Sequence, residues 1–183
     1  NPSGKLPFSF PAKLTDCGAH AFDELSYPGD SIKQEYKEDI LVGYRWHDTK
    51  KIPALFPFGH GLSYTTFTYG KPVASAKVMA ADGTLTLTVA VKNTGSVAGK
   101  EIVQLYIGDD KCSVLRPVKE LKHFAKVALA PGEEKSVTFT LTPDDLKFYD
   151  EASAAWKYES GKFKAYVCAS SADVRGVVSF EMQ

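Results

Sequence analysis

Residues 84–91, TLTLTVAV, alternate without a break: Leu85, Leu87, Val89 and Val91 share one face, and Thr84, Thr86 and Thr88 share the other. A period of two is that of a β-strand with one face buried, and no helix presents such a row. The pattern recurs downstream. Val103, Leu105 and Ile107 share a face within Glu101–Ile107, and Val137, Phe139 and Leu141 within Glu134–Leu141. Val73–Met79, Ala125–Leu129, Trp156–Tyr158, Phe163–Ala169 and Val177–Met182 are further strand candidates. Asn93-Thr94-Gly95 and Pro131-Gly132 supply turns, and Pro143–Leu146 predicts one helical turn at most. About eight strands with no long helix predict an all-β fold, an antiparallel β-sandwich over residues 68–183.

Residues 1–67 read differently. Turn signals recur at Asn1-Pro2, at Tyr27-Pro28-Gly29-Asp30 and from Pro57 to Gly61. Two strands are expected: Leu6–Phe10, confined to an edge by Pro7, and Ile40–Trp46, on its β-branched and aromatic content. So long an irregular stretch is unusual inside a compact domain. Phe8, Phe10, Phe22, Tyr27, Tyr36, Tyr44, Trp46, Phe56 and Phe58 need a surface to bury them. The expectation is that much of this region packs on a domain outside the chain, with residues 12–39 open to hydrogen exchange.

The 22 basic and 22 acidic residues cancel, which argues against nucleic acid or an anionic membrane as partner. No apolar run is long enough to span a bilayer. Cys17, Cys112 and Cys168 are an odd number and match no metal motif; they read first as separate small apolar residues, with one disulfide as the alternative and no pair selected by the sequence. Neither asparagine, Asn1 or Asn93, lies in a glycosylation sequon. The start at Asn1 rather than Met is expected of an internal piece of a longer polypeptide.

No catalytic constellation stands out. The adjacent carboxylates Asp23/Glu24, Glu38/Asp39, Asp109/Asp110, Glu133/Glu134, Asp144/Asp145 and Asp150/Glu151 are sequence neighbours, which point to opposite faces on a strand, and most fall in predicted turns. The histidines His20, His47, His60 and His123 have no zinc-site spacing. Ser3 and Ser63 have glycine neighbours but no nucleophile elbow. Lys111, Lys119, Lys122 and Lys126 read as a solvated face.

Longer segments carry a resemblance. NPSGKLPFSFP at 1–11, VGYRWHD at 42–48 and LFPFGHGLSYTTF at 55–67 resemble the end of the second catalytic domain, a following strand and the connecting loop of family 3 glycoside hydrolases. VKNTGSVAGKEIVQLYI at 91–107, RPVKELKHFAKVALAPGEEKSVTFTL at 116–141 and LKFYDEASAAWKYESGKFKAYVCASSADVR at 146–175 resemble, in order, that family's C-terminal fibronectin type III-like domain. The ordered series covers nearly the whole chain. Trp46-His47 stands where an aromatic pair is usual, and Cys17–Tyr27 matches nothing in the family.

The resemblance implies residues 1–67 as the terminal segment of an α/β domain plus a connecting loop, and 68–183 as the fibronectin type III-like sandwich. It implies a parent that hydrolyses terminal β-linked sugars with retention, a β-glucosidase first of all. In such chemistry two carboxyl groups sit roughly 5–5.5 Å apart across the scissile bond. The family's nucleophile and acid/base both lie upstream of NPSGKLP, so no residue here inherits a catalytic role, and the chain alone is expected to be inactive. Phe56, Phe58, His60 and Tyr64 are the substrate-proximal candidates, as a rim of the parent's sugar site. No cofactor and no metal are implied. The partners implied are the catalytic domains of the same enzyme, carbohydrate only through them, and room for a homodimer. A secreted or periplasmic setting follows from the family. The competing reading is a stand-alone carbohydrate-binding or adhesion module.

Overall fold

A computed structural model describes all of residues 1–183. Eleven strands build the sandwich and its hairpin, and a two-stranded ribbon lies in the extension. The ribbon pairs β1 (Phe10–Pro11) with β2 (Ala54–Phe56). The strands that follow are β3 (Phe67–Tyr69), β4 (Val73–Ala74), β5 (Val78–Met79), β6 (Leu85–Asn93) and β7 (Gly99–Asp109). Then come β8 (Glu120–Leu129), β9 (Glu134–Leu141), β10 (Phe148–Asp150), β11 (Ala155–Lys157), β12 (Gly161–Ser170) and β13 (Asp173–Met182).

One sheet runs β5-β13-β12-β7-β8, antiparallel except for the β5–β13 pair. The other is centred on β6, with β9 along one edge and β3 and β4 sharing the opposite edge. The alternating run sets the register: Leu85, Leu87, Val89 and Val91 of β6 face the core at 2 % exposure or less. They meet Val103, Leu105 and Ile107 of β7, Phe163 and Val167 of β12, and Phe180 of β13. Each large apolar side chain so buried contributes about 1.5–3 kcal/mol before entropy is counted. On the solvent face of β6, Thr88 and Thr138 hydroxyls meet at 2.9 Å across the paired strands.

Val73–Met79 is not one strand. The chain leaves the β6 sheet after β4, with Ser75 N still donating to Thr86 O, and joins the other sheet as β5, where Lys77 O accepts from Glu181 N. The expected strand Ile40–Trp46 is also corrected. Gly43 at φ 60° breaks the extended run, and an α-helix, α1 (Tyr44–Lys50), follows it. Seven residues are too few for a helix to stand on propensity. Packing holds it: Trp46 and His47 are buried, Trp46 Nε1 donates to the Asp16 carbonyl at 3.0 Å, and Lys51 in the left-handed region closes the end.

The extension lies across the outer face of the five-stranded sheet. This is why β7 and β12 bury residues on both faces, with Gln104, Tyr106 and Cys168 covered on the side away from the core. Tyr44 packs edge-on against Tyr106 with ring centres 5.6 Å apart, and Phe58 sits 4.9 Å from Tyr44. Helix α1 covers the start of edge strand β8. Thr49 Oγ1 accepts from Val118 N at 3.1 Å, and the Tyr44 hydroxyl accepts from Leu121 N at 2.9 Å. Capping an edge in this way removes a template for aggregation.

The expectation that the extension packs outside the chain is therefore half corrected. Tyr44, Trp46 and Phe58 are spent on the sandwich or within the extension. Phe8, Phe10, Phe22, Tyr27, Tyr36 and Phe56 stay exposed. Lys119 is corrected too: it is buried, with Nζ 2.5 Å from Asp48 Oδ2 and 5.5 Å from the Tyr106 ring centre, not on a solvated face. Strand β3, residues 67–69, pairs antiparallel with the end of β6, Phe67 opposite Asn93 and Tyr69 opposite Val91.

Candidate functional site

The loop 57–66 leaves β2, turns at Pro57–His60 and enters β3. Its backbone is tied on both sides. His60 O accepts from Leu6 N and Phe58 O accepts from Ser171 N, both at 2.8 Å. Gly59, at φ 78°, lies so close to Gln104 that a Cβ there would come 2.4 Å from Oε1. Gln104 Nε2 donates to the Gly59 carbonyl at 3.3 Å and to the Ala169 carbonyl at 2.9 Å, while Oε1 accepts from the Tyr106 hydroxyl at 2.6 Å.

The four expected substrate-proximal residues do not form one cluster. Phe56 is 43 % exposed, and His60 lies beside it with ring centres 5.5 Å apart. Phe58 stacks instead on Tyr44. Tyr64 stands out at 76 % exposure, its N–H donating to Asn1 Oδ1 at 3.0 Å. The Phe56 ring also meets Phe10 at 6.1 Å, and Phe10 meets Phe8 at 4.7 Å, so the ribbon presents a continuous aromatic surface to solvent.

His60 does line a cleft of about 430 Å3 at the open end of the sandwich. Its walls come from the loop, from Lys5 of the extension, from Tyr69 on β3, Glu101 on β7, and Asp173 and Arg175 on β13. By period two Glu101 occupies the core-facing row of Val103, Leu105 and Ile107, and its side chain is 8 % exposed. Glu101 Oε1 accepts from Lys5 Nζ at 3.1 Å and from the Tyr69 hydroxyl at 2.9 Å. Burial, reinforced by the Glu101 charge, drives the Tyr69 hydroxyl far above its ordinary range, so it stays a donor. Arg175 pairs with Asp173 at 2.7 Å and lies over the Tyr69 ring. Sequence reasoning did not single out these wall residues. The signal was present at Glu101, a carboxylate in an otherwise apolar row.

The adjacent carboxylates are occupied singly. Asp109 pairs with Arg116 and Asp110 with Lys164, while Asp144 pairs with Lys147 and Asp150 with Lys157. Hydrogen bonds from Lys157 and Ser153 hold the Asp150 carboxyl below its usual range. Asp48 goes the other way: burial pushes its carboxyl up against the pull of Lys119. Lys119 is a cation, not a second carboxyl, so this pair has no acid/base geometry for glycoside cleavage. Burial pushes the Cys168 thiol up to about 12, which makes it inert. No three His, Cys, Asp or Glu side chains converge to hold a metal ion. No helix is long and apolar enough to cross a membrane.

Residues 101–171 match the model of the fibronectin type III-like domain. A β-glucosidase of Bacteroides ovatus is 68 % identical over 180 residues, covering 98 % of this chain and 24 % of that protein. Thermostable β-glucosidase B of Acetivibrio thermocellus is 50 % identical over 174 residues, covering 95 % of this chain and 22 % of that protein. The crystal structure of DesR, a β-glucosidase from Streptomyces venezuelae in complex with D-glucose, superposes with a TM-score of 0.91. It is 42 % identical, and the match covers 100 % of this chain and 23 % of that one. The chain thus spans about a quarter of the length of the relatives it matches.

Proposed function

We propose that this chain, the C-terminal part of a family 3 glycoside hydrolase, serves its enzyme as a structural domain that docks on the catalytic portion. Residues 1–67 are the terminal segment of the preceding α/β domain with its connecting loop, and residues 68–183 are the sandwich that anchors them. The whole enzyme hydrolyses terminal β-linked sugars with retention, as a β-glucosidase, and the carboxylates that do so lie outside this chain. Its partners are the catalytic domains of the same polypeptide, and it meets substrate only through them. A homodimer through the sandwich is the further partner this reading allows. The setting is secreted or periplasmic.

One observation carries the reading. Phe10, Leu55 and Phe56 of one short ribbon and Phe8 just before it are 43–62 % exposed, and backbone hydrogen bonds from the adjoining loop tie that ribbon to Leu6 and to Ser171 of the sandwich. A contiguous apolar patch held in place is a surface prepared for another protein surface. Phe56 and His60 at its margin are the residues of the original four best placed to reach the sugar site of the complete enzyme.

Hydrolysis of an aryl β-glucoside tests the division of labour. The purified chain should give no turnover, and the full-length enzyme should give it. Turnover that stays with the chain after every larger polypeptide is removed would overturn the reading.

A further inference from the structure

We propose that the recess beside Glu38 receives a basic side chain, a lysine or arginine, from the upstream part of the same enzyme. The inference rests on the docking reading above and names one contact within that interface. The recess encloses about 200 Å3 between Ser9 beside the ribbon, Gly18 of a 3-10 turn and Trp46 of α1. That is below the roughly 300–1,000 Å3 of small-molecule sites and suits one long side chain.

Glu38 carries the argument. Its Oε2 is buried and has no hydrogen-bond partner in the chain. Gly18 lets this side chain and the Trp46 ring close on one wall: a Cβ at position 18 would lie 2.9 Å from Glu38 Cβ and 3.2 Å from the ring. Trp46 has no donor left for the carboxylate, because Nε1 is bonded to the Asp16 carbonyl. Apart from His47, whose Nδ1 faces the Ile52 carbonyl at 3.0 Å, the lining holds no basic group. Lys50 Nζ lies over the Trp46 ring, but Lys50 does not line the recess. A buried polar atom left unpaired is costly, and a carboxylate more so. A turn about its last torsion, which is a soft one, presents Oε2 to the recess. The recess also adjoins the docking face, since Ser9 lies between the exposed Phe8 and Phe10, and Val42 of the lining is exposed. A surface laid on that ribbon closes the recess from water, and a carboxylate shut in there needs a counter-charge.

The test follows hydrogen exchange by mass spectrometry in the full-length enzyme and in this chain alone. Residues 12–42 should exchange about tenfold or more slowly in the enzyme. Glu38→Gln in the enzyme should speed them about tenfold, the loss of a charge-assisted contact. One upstream peptide containing a lysine or arginine should speed up with them. The same substitution should leave the melting temperature of the chain alone unchanged or raised, since it removes an unpaired charge. Ala19→Leu, which narrows the recess and leaves Glu38 in place, should act in the enzyme as Glu38→Gln does, and it carries the test if that variant fails to fold. Equal exchange of residues 12–42 in enzyme and chain would sink the docking reading and this inference with it. Slowed exchange that both variants leave untouched, or faster exchange with no upstream peptide responding, overturns the inference alone. So does a fall in the melting temperature of the chain alone on Glu38→Gln, which would mark a local role.

Discussion

Gly59 and Gln104 are in contact across the seam between extension and sandwich, the Gln104 carboxamide occupying the space where any side chain at position 59 would begin. The loop can lie flat on β7 only because position 59 has no Cβ and takes φ 78°. The same amide bonds the loop carbonyl, the end of β12 and the Tyr106 hydroxyl, so one residue joins three parts of the chain.

Gly59→Ala should therefore cost about 2–4 kcal/mol, from strain at positive φ plus a clash that a buried amide cannot relieve. Urea unfolding followed by tryptophan fluorescence reads it through Trp46. A loss under about 0.5 kcal/mol would mean that the loop does not sit where described.

Asn93 is fully buried and uses every polar atom of its side chain. Oδ1 accepts from Thr65 Oγ1 and Gly95 N, and Nδ2 donates to the carbonyls of Val97 and Leu129. Asn93→Ala strands those partners and should destabilise the chain by about 2–3 kcal/mol. Asn93→Asp should not rescue it, because a carboxylate cannot donate to two carbonyls. Thermal denaturation of the three proteins side by side decides this.

Glu120 sets part of the acid limit. Burial works to raise its carboxyl, but Lys122, Arg116 and Arg45 outweigh it and hold the carboxyl below its ordinary range. A folded-state pKa below the unfolded one gives stability that is complete above the unfolded value and is lost as pH falls through the folded one. The melting temperature should drop as pH falls below about 4.3, the ordinary glutamate value. Glu120→Gln should lower stability at neutral pH and flatten that drop. An acid limb as steep as the parent's would remove Glu120 from the account.

Residues 12–39 contain two 3-10 turns, and their remaining backbone bonds are scattered turn contacts. Ile32 and Tyr36 are 94 % and 75 % exposed. Amides there should exchange within the earliest times, while β6, β7 and β12 exchange only through global unfolding. Protection across 12–39 equal to that of β7 would contradict this.

The sandwich was legible because half-buried strands write their geometry at a period of two. Leu85–Val91 and Val137–Leu141 bury the residues that the alternation selects. Helix α1 was not legible. Its docking face, Tyr44, His47 and Asp48, is aromatic and polar, and its anchor Trp46 is β-favouring, so composition pointed to a strand. Only Gly43 marked the change. Lys119 was misread for a related reason: its burial depends on Asp48, 71 positions away, and no local pattern encodes that pair. The cleft was missed because its walls come from four separate stretches, Lys5, residues 60–69, Glu101 and residues 169–175, although Glu101 in an apolar row hinted at it.

The central claim is that this chain is a docking domain of a larger enzyme, and reassembly in trans tests it most directly. The upstream portion of the enzyme and this chain are purified apart, mixed and weighed by native mass spectrometry, with aryl β-glucoside hydrolysis followed in parallel. The account predicts a one-to-one complex with hydrolysis raised over that of the upstream portion alone. It also predicts that replacing Phe8, Phe10 and Phe56 together by serine weakens the complex about tenfold or more, while costing the isolated chain little. A folded upstream portion that ignores this chain and hydrolyses at the full rate would contradict it.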